Sequence, residues 1–225
     1  MRQIFFLTLA AAIWSGCSEA PAAPKRTADC YVRYLKPEGQ LLAETILREQ
    51  APGQTDAKSV EAPNGIRYLG SLMRAMDLQG TTTYRAERTD GYAPDHIFTW
   101  KDSDGNPYTF KMNLPPITAF SFDPATISRK KPATLTWSGA PLDKGERIAM
   151  IWESTDGSRT VPMEILGMPG QNRIEFPAAQ LAKLEPGNWS LYLVRKKSIQ
   201  TELSGATVRC TAEYYTDEIV FTVTD

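Results

Sequence analysis

The stretch LTWSGAPLDKGERIAMIWES, residues 135–154, decides the fold class. Leu135 and Trp137 stand two apart, and so do Ile148, Met150 and Trp152. Side chains of a strand point alternately to its two faces, so an apolar residue at every second position marks a strand with one face in a core. Between the two runs lies Asp-Lys-Gly-Glu, 143–146, which has the composition of a turn. Residues 135–154 therefore predict two consecutive strands that share an interior.

The same spacing continues on both sides. Upstream it holds for Thr118, Phe120 and Phe122. Downstream it holds for Val161, Met163 and Ile165, for Ile174 and Phe176, for Trp189, Leu191 and Leu193, and for Ile219, Phe221 and Val223. TDGS at 155–158, MPGQN at 168–172 and EPGN at 185–188 separate these runs with turn residues. About seven short strands so spaced predict an antiparallel β-sandwich over 117–225. Trp137, Trp152 and Trp189 fall on the apolar side of their strands and are expected in its core. LTWSG and IAMIWES resemble successive core strands of immunoglobulin-like and fibronectin type III-like domains. LAKLEPGNWSLYLVR, 181–195, is similar to their corner, where a helical turn and Pro-Gly lead into an aromatic residue. That aromatic is usually Tyr; with Trp189 the hydroxyl hydrogen bond of the corner is lost. The resemblance implies a fold and brings no functional residues with it.

Two adjacent prolines in NLPPI, 113–117, interrupt regular pairing and set a boundary between segments 30–114 and 117–225. In the first segment DHIFTWKDSDGNPYTFKMNL, 95–114, predicts a hairpin about Asp-Gly, with Phe98 and Trp100 facing Tyr108 and Phe110. CYVRYLK, 30–36, reads as a strand. QLLAETILREQ, 40–50, satisfies both strand and helix periods, and its neighbours favour strand; GSLMRAMDLQG, 70–80, stays undecided. The expected fold is all-β, two β-sandwich domains in tandem, the C-terminal one immunoglobulin-like. The longest connection, KKSIQTELSGATV at 196–208, reads as a loop and as the first contact surface to consider.

The chain opens with Arg2 and an apolar run, IFFLTLAAAIW, 4–14. As a helix this run is about 16 Å long, roughly half a bilayer core, so it reads as a secretory leader rather than a span. SGC at 15–17 resembles the lipobox of bacterial lipoproteins, although Trp14 stands where that family favours Leu, Val or Ile. The resemblance implies cleavage after residue 16, a lipidated Cys17, and a tether over 17–29. Ser18, in place of the Asp that retains such proteins at the inner membrane, implies the outer membrane. The rival reading is a secreted protein with a poor cleavage site. Cys30 and Cys210 then remain, and an even remainder in an oxidising compartment suggests a disulfide between them.

Reactive groups are sparse. The one histidine, His96, opens a strand and is expected to be partly exposed; no G-x-S-x-G frames a serine for it. SRKK at 128–131 contains S-x-x-K without its companion motifs. Asp102 and Asp104 mimic the start of a calcium loop but lack its closing Glu, and Asp-Gly favours a hairpin. Glu153 and Asp156 flank another turn. With 25 Lys and Arg against 26 Asp and Glu, nothing steers the chain to nucleic acid. Aromatic and basic residues outside the expected core are the better contacts: Trp100, Tyr92, Tyr108, Tyr215, Lys196 and Lys197. The expected function is a lipid-anchored binding or scaffolding module of the bacterial envelope. It would act without cofactor, metal or chemistry of its own, on an envelope protein or glycan. A carbohydrate-binding lipoprotein and an envelope hydrolase are the rival readings.

Overall fold

The computed structural model describes residues 23–166 and 168–225; the leader and Cys17 lie outside them. Before the double proline come β1 (Lys25–Leu35), β2 (Gln40–Gln50), β3 (Lys58–Ser59), β4 (Arg67–Tyr68), β5 (Ser71–Leu72), β6 (Arg74–Leu78), β7 (Thr81–Arg88), β8 (Asp95–Lys101) and β9 (Pro107–Asn113). After it come β10 (Ile117–Asp123), β11 (Ile127–Ser128), β12 (Ala133–Gly139), β13 (Glu146–Ser154), β14 (Thr160–Leu166) and β15 (Arg173–Phe176). A single helical turn, α1 (Ala178–Leu181), leads to β16 (Gly187–Leu203), β17 (Ala206–Tyr215) and β18 (Ile219–Thr224). Lys25–Asp29, expected in the tether, already belong to β1.

The fold is all-β. One large sheet runs β11–β18–β16–β17–β1–β2–β7–β6, with β13 and β14 continuing from β16 and β3 lying beside β2. Two small sheets, β10–β12–β15 and β5–β4–β8–β9, complete two sandwiches. In the C-terminal one, three strands face β14–β13–β16–β18, an immunoglobulin-like arrangement. Trp152 of β13 meets Phe122, Phe176 and Phe221 edge-on or tilted, at centroid distances of 5.4, 5.6 and 5.5 Å. Trp137, Trp152 and Trp189 are all buried, as their alternation requires. A bulge between Ile117 and Ala119 shifts the phase of β10, so Ile117 and Phe122 are buried and Thr118 is exposed. At the corner, the Trp189 indole N–H donates to the Glu185 carbonyl at 2.9 Å, so the aromatic that displaces Tyr supplies its own donor.

β16 joins the two sandwiches. Its 17 residues span about 56 Å. The first part pairs with β18 and β13, and the rest with β17, from Val194↔Tyr215 to Leu203↔Ala206. β17 in turn lies parallel to β1. Strands from the 117–225 segment thus complete the sheet of the 30–114 segment. The stretch 196–208 is therefore no loop but a hairpin, closed at Ser204 and Gly205, both at positive φ as a tight two-residue turn demands.

In the first sandwich β2 confirms the strand reading of 40–50, and 70–80 divides into β5 and β6. Trp100 pairs with Tyr108 and Phe98 with Phe110 across the expected hairpin. Cys30 and Cys210 face each other across β1 and β17, yet both are free, buried thiols, so the expected disulfide is absent. Cys30 instead accepts a 3.7 Å hydrogen bond from Thr45, and a hydrogen bond with Cys30 holds the Cys210 thiol protonated.

Candidate ligand-binding face

Three of the expected contact aromatics belong to the core. Trp100 and Tyr108 stack at 5.2 Å and 11°, and are 7 % and 4 % exposed. Their positions in β8 and β9 have the inward parity, and with Arg26, Leu47 and Asp102 they line a cavity of about 20 Å³, room for one water. Asp102 organises the turn below them, accepting from Asp104 N at 3.0 Å, Asn106 N at 2.8 Å and Tyr108 Oη at 3.0 Å. Tyr92 packs between Tyr34 and Tyr214 at 4.8 and 4.7 Å and donates to the Leu114 carbonyl.

Lys197 also turns inward. Its Nζ reaches the Asn113 carbonyl at 3.3 Å, Asp143 at 3.3 Å and Glu146 at 3.4 Å, which ties β16 to both sandwiches. Beside it Arg195 donates to Glu146 and to the carbonyls of Ala140 and Pro141, each at 2.8 Å. His96 is fully buried rather than partly exposed. Its Nδ1 meets Tyr68 Oη at 2.8 Å and its Nε2 faces Tyr92 Oη at 3.5 Å. Loss of hydration pushes its pKa down to about 4, against the pull of Asp95, so the ring is neutral at neutral pH.

Tyr215 and Lys196 stand elsewhere, together, on the outer face of the large sheet. Inward residues of β1 and β17 are Cys30, Val32, Tyr34, Cys210, Ala212 and Tyr214. The alternate positions therefore carry Tyr31, Arg33, Glu213 and Tyr215 outward, and β16 adds Tyr192 and Lys196. Glu213 is the centre of this group. Its Oε2 accepts from Tyr31 at 2.7 Å and Tyr215 at 3.1 Å, and its Oε1 meets Lys196 Nζ at 3.0 Å. Burial pushes the carboxyl up, but the donors from Tyr31, Lys196 and Tyr215 outweigh it and hold the pKa below the usual range. Burial and the Glu213 charge push Tyr215 up to about 12. The rings of Tyr192 and Tyr215 stack at 6.2 Å and 30°, half-exposed.

An open hollow of about 510 Å³ adjoins the cluster, lined by Asp29, Tyr31, Ser198, Gln200, Arg209 and Thr211. Tyr31, Arg33, Tyr192 and Glu213 were not singled out from the sequence. The alternation of CYVRYLK assigns Tyr31 and Arg33 to one face, but no local signal shows that this strand lies beside β17.

No family model and no curated protein matches the chain. Among solved structures it is similar to a tetra-tandem repeat in the extending region of a large adhesion protein (14 % identity, TM-score 0.29, 87 % of this chain and 50 % of that one). It is also similar to the chicken CNTN1 FN1–FN3 domains (9 % identity, TM-score 0.31, 91 % and 66 %). A third is SGBP-B of the Bacteroides ovatus mixed-linkage glucan utilisation locus, in complex with a heptasaccharide (13 % identity, TM-score 0.25, 82 % and 53 %). The chain spans half to two thirds of each of these structures. Scores of this size carry no functional argument, so function rests on the chain's own residues.

Proposed function

We propose that the protein is a binding module of the bacterial envelope, held at the outer membrane by acyl chains on Cys17, and that it engages a protein or glycan partner through the outer face of its large sheet. The observation that carries the binding reading is the half-exposed Tyr192–Tyr215 pair beside the Glu213 cluster and its adjoining hollow. Rigid rings that bring apolar area and polar tips are efficient contact residues. Their support here is a continuous sheet rather than a loop, so their spacing is fixed before a partner arrives.

The anchoring reading rests on the apolar run 4–14 and the SGC at 15–17. Residue 17 lies eight positions before β1, a reach of at most about 28 Å. An anchor there would keep the first sandwich next to the membrane and direct the second outward. The test is a photo-crosslinking residue placed at Tyr192 in cells, with the same residue at the exposed Leu72 of β5, in the four-stranded sheet, as a control. The reading expects a partner adduct at Tyr192 and none at Leu72. Equal labelling at both positions, or none at Tyr192, would reject this face.

A further inference from the structure

We propose that the outer face of the second sandwich, around Tyr192, seats a basic protein segment, with a Lys or Arg side chain of the partner on the Tyr192 ring between Glu153 and Glu218. The proposal rests on the binding face above and names the class of partner that would occupy it.

This face carries an apolar band. Met150, Trp152, Leu191 and Phe221 point into the core, so the positions between them point outward. The strand registers place Pro162, Ile151 and Tyr192 side by side across β14, β13 and β16. Val194 follows on β16, opposite Tyr215 of β17. Val220 of β18 lies opposite Ser190, diagonal to Tyr192, and is 70 % exposed. Ile151, Tyr192 and Tyr215 are half-exposed and Pro162 is exposed. Adjoining exposed apolar side chains of this kind mark a contact surface. Few hydrogen-bonding groups lie within the band, namely the two phenols and the buried Ser190 hydroxyl. Such a surface suits a protein better than the hydroxyls of a sugar chain.

Charge decides the chemistry of that protein. Around the band Arg147 pairs with Glu164 at 3.2 Å, Lys196 with Glu213 at 3.0 Å, and Lys36 with Asp217. In the 155–159 turn, Asp156 accepts from the Ser154 and Ser158 hydroxyls and Arg159 pairs with Glu185. Glu153 and Glu218 are exposed and have no ion pair among the described residues. Glu153 is diagonal to Tyr192, because it pairs with Ser190 while Ile151 pairs with Tyr192. Glu218 precedes Ile219, the partner of Leu191, and so enters the sheet at the level of Tyr192. Burial, and then the charges of Glu153 and Glu218, push the Tyr192 phenol up. Arg33, which also lacks an ion pair among the described residues, lies opposite Glu213. Glu213 in turn faces Lys196, four positions or about 13 Å along β16 from Tyr192. Tyr192 is thus an aromatic ring in apolar surroundings with two unspent carboxylates beside it. A cation is drawn to the ring face and to both carboxylates, and the attraction grows as the partner excludes water. The aliphatic stem of a Lys or Arg would at the same time cover Ile151 and Val220. A neutral ligand would leave both carboxylates unused, and an acidic one would be repelled.

The test is selection of random short peptides, displayed on phage, against the full chain in detergent, followed by titration of a selected peptide made synthetically. Selected sequences should carry Lys or Arg next to apolar residues, and the affinity should fall severalfold between low and physiological salt. Glu153→Gln combined with Glu218→Gln should weaken the peptide about tenfold, and Tyr192→Ala should do the same. Tyr192→Phe should keep the affinity, because the ring rather than the hydroxyl holds the cation. Glu175→Gln, an exposed carboxylate of β15 in the opposite sheet, should change nothing. All these variants should melt as the parent does. In cells, a photo-crosslinking residue at Val220 should capture the same protein as one at Tyr192. Three results would overturn the basic segment: no selected peptide, selected peptides without a basic preference, or a basic preference that survives the paired Glu153→Gln and Glu218→Gln change. A Tyr192 adduct in cells would then leave the binding face standing, and the absence of that adduct would overturn the face as well.

Discussion

Glu146 and Arg195 are both fully buried, and Glu146 accepts from Arg195 Nε at 2.9 Å. Removing one partner strands the other charge without solvent, so Glu146→Ala should cost about 3–5 kcal/mol in urea unfolding. Replacing both, with Glu146→Leu and Arg195→Met, should cost less than the single change, because no charge is left unpaired. His96 sets a second expectation. Its unfolded ring titrates near 6.5 and its folded ring near 4. Stability is complete above 6.5, falls as the pH drops through that window, and is reduced by about 3 kcal/mol below it. His96→Gln should flatten the pH 6.5–4 slope of the urea midpoint; an unchanged slope would show that His96 is not its source. At the corner, Trp189→Phe should lose about 1 kcal/mol with the bond to Glu185.

At the level of the element, the hairpin of β16 and β17 carries the most consequence. Gly205 sits at φ +96° with open space around it, so Gly205→Val should destabilise through backbone strain alone, by about 1–3 kcal/mol. A melting curve unchanged by this substitution would contradict the tight turn. The strands of 117–195 were legible because each buries one large residue in two, as at Leu135 and Trp137 or Leu191 and Leu193. The 95–114 hairpin was legible from its Asp-Gly turn. The 196–208 hairpin was not, because Lys197 and Thr201 occupy inward positions of β16 beside Ile199 and Leu203, which breaks the apolar alternation, and Ser204-Gly205 reads as loop. The binding face was hidden for a different reason. Tyr31 and Glu213 meet across 182 positions through parallel pairing of β1 and β17, which no turn announces. Parity within each strand was readable; the neighbour of each strand was not.

For the whole molecule, the consequence of β16 is mechanical. A single strand of 17 residues contributes to both sandwiches, so neither can separate or pivot without breaking its ladder. With Lys197 clasping Asn113, Asp143 and Glu146 at the crossing point, the two halves should unfold together rather than as independent domains. The anchoring proposal is tested at the same scale: Cys17→Ala should move the protein from the membrane fraction to the soluble one, and retention there would reject lipidation at Cys17. The shared strand is tested most directly by native-state hydrogen exchange along residues 187–215. The account predicts that the amides of Leu191 and Leu193 and those of Ile199 and Thr201 are protected by the same opening free energy, close to that of global unfolding. Fast exchange through 198–208, with protection confined to 187–195, would restore a loop there and contradict it.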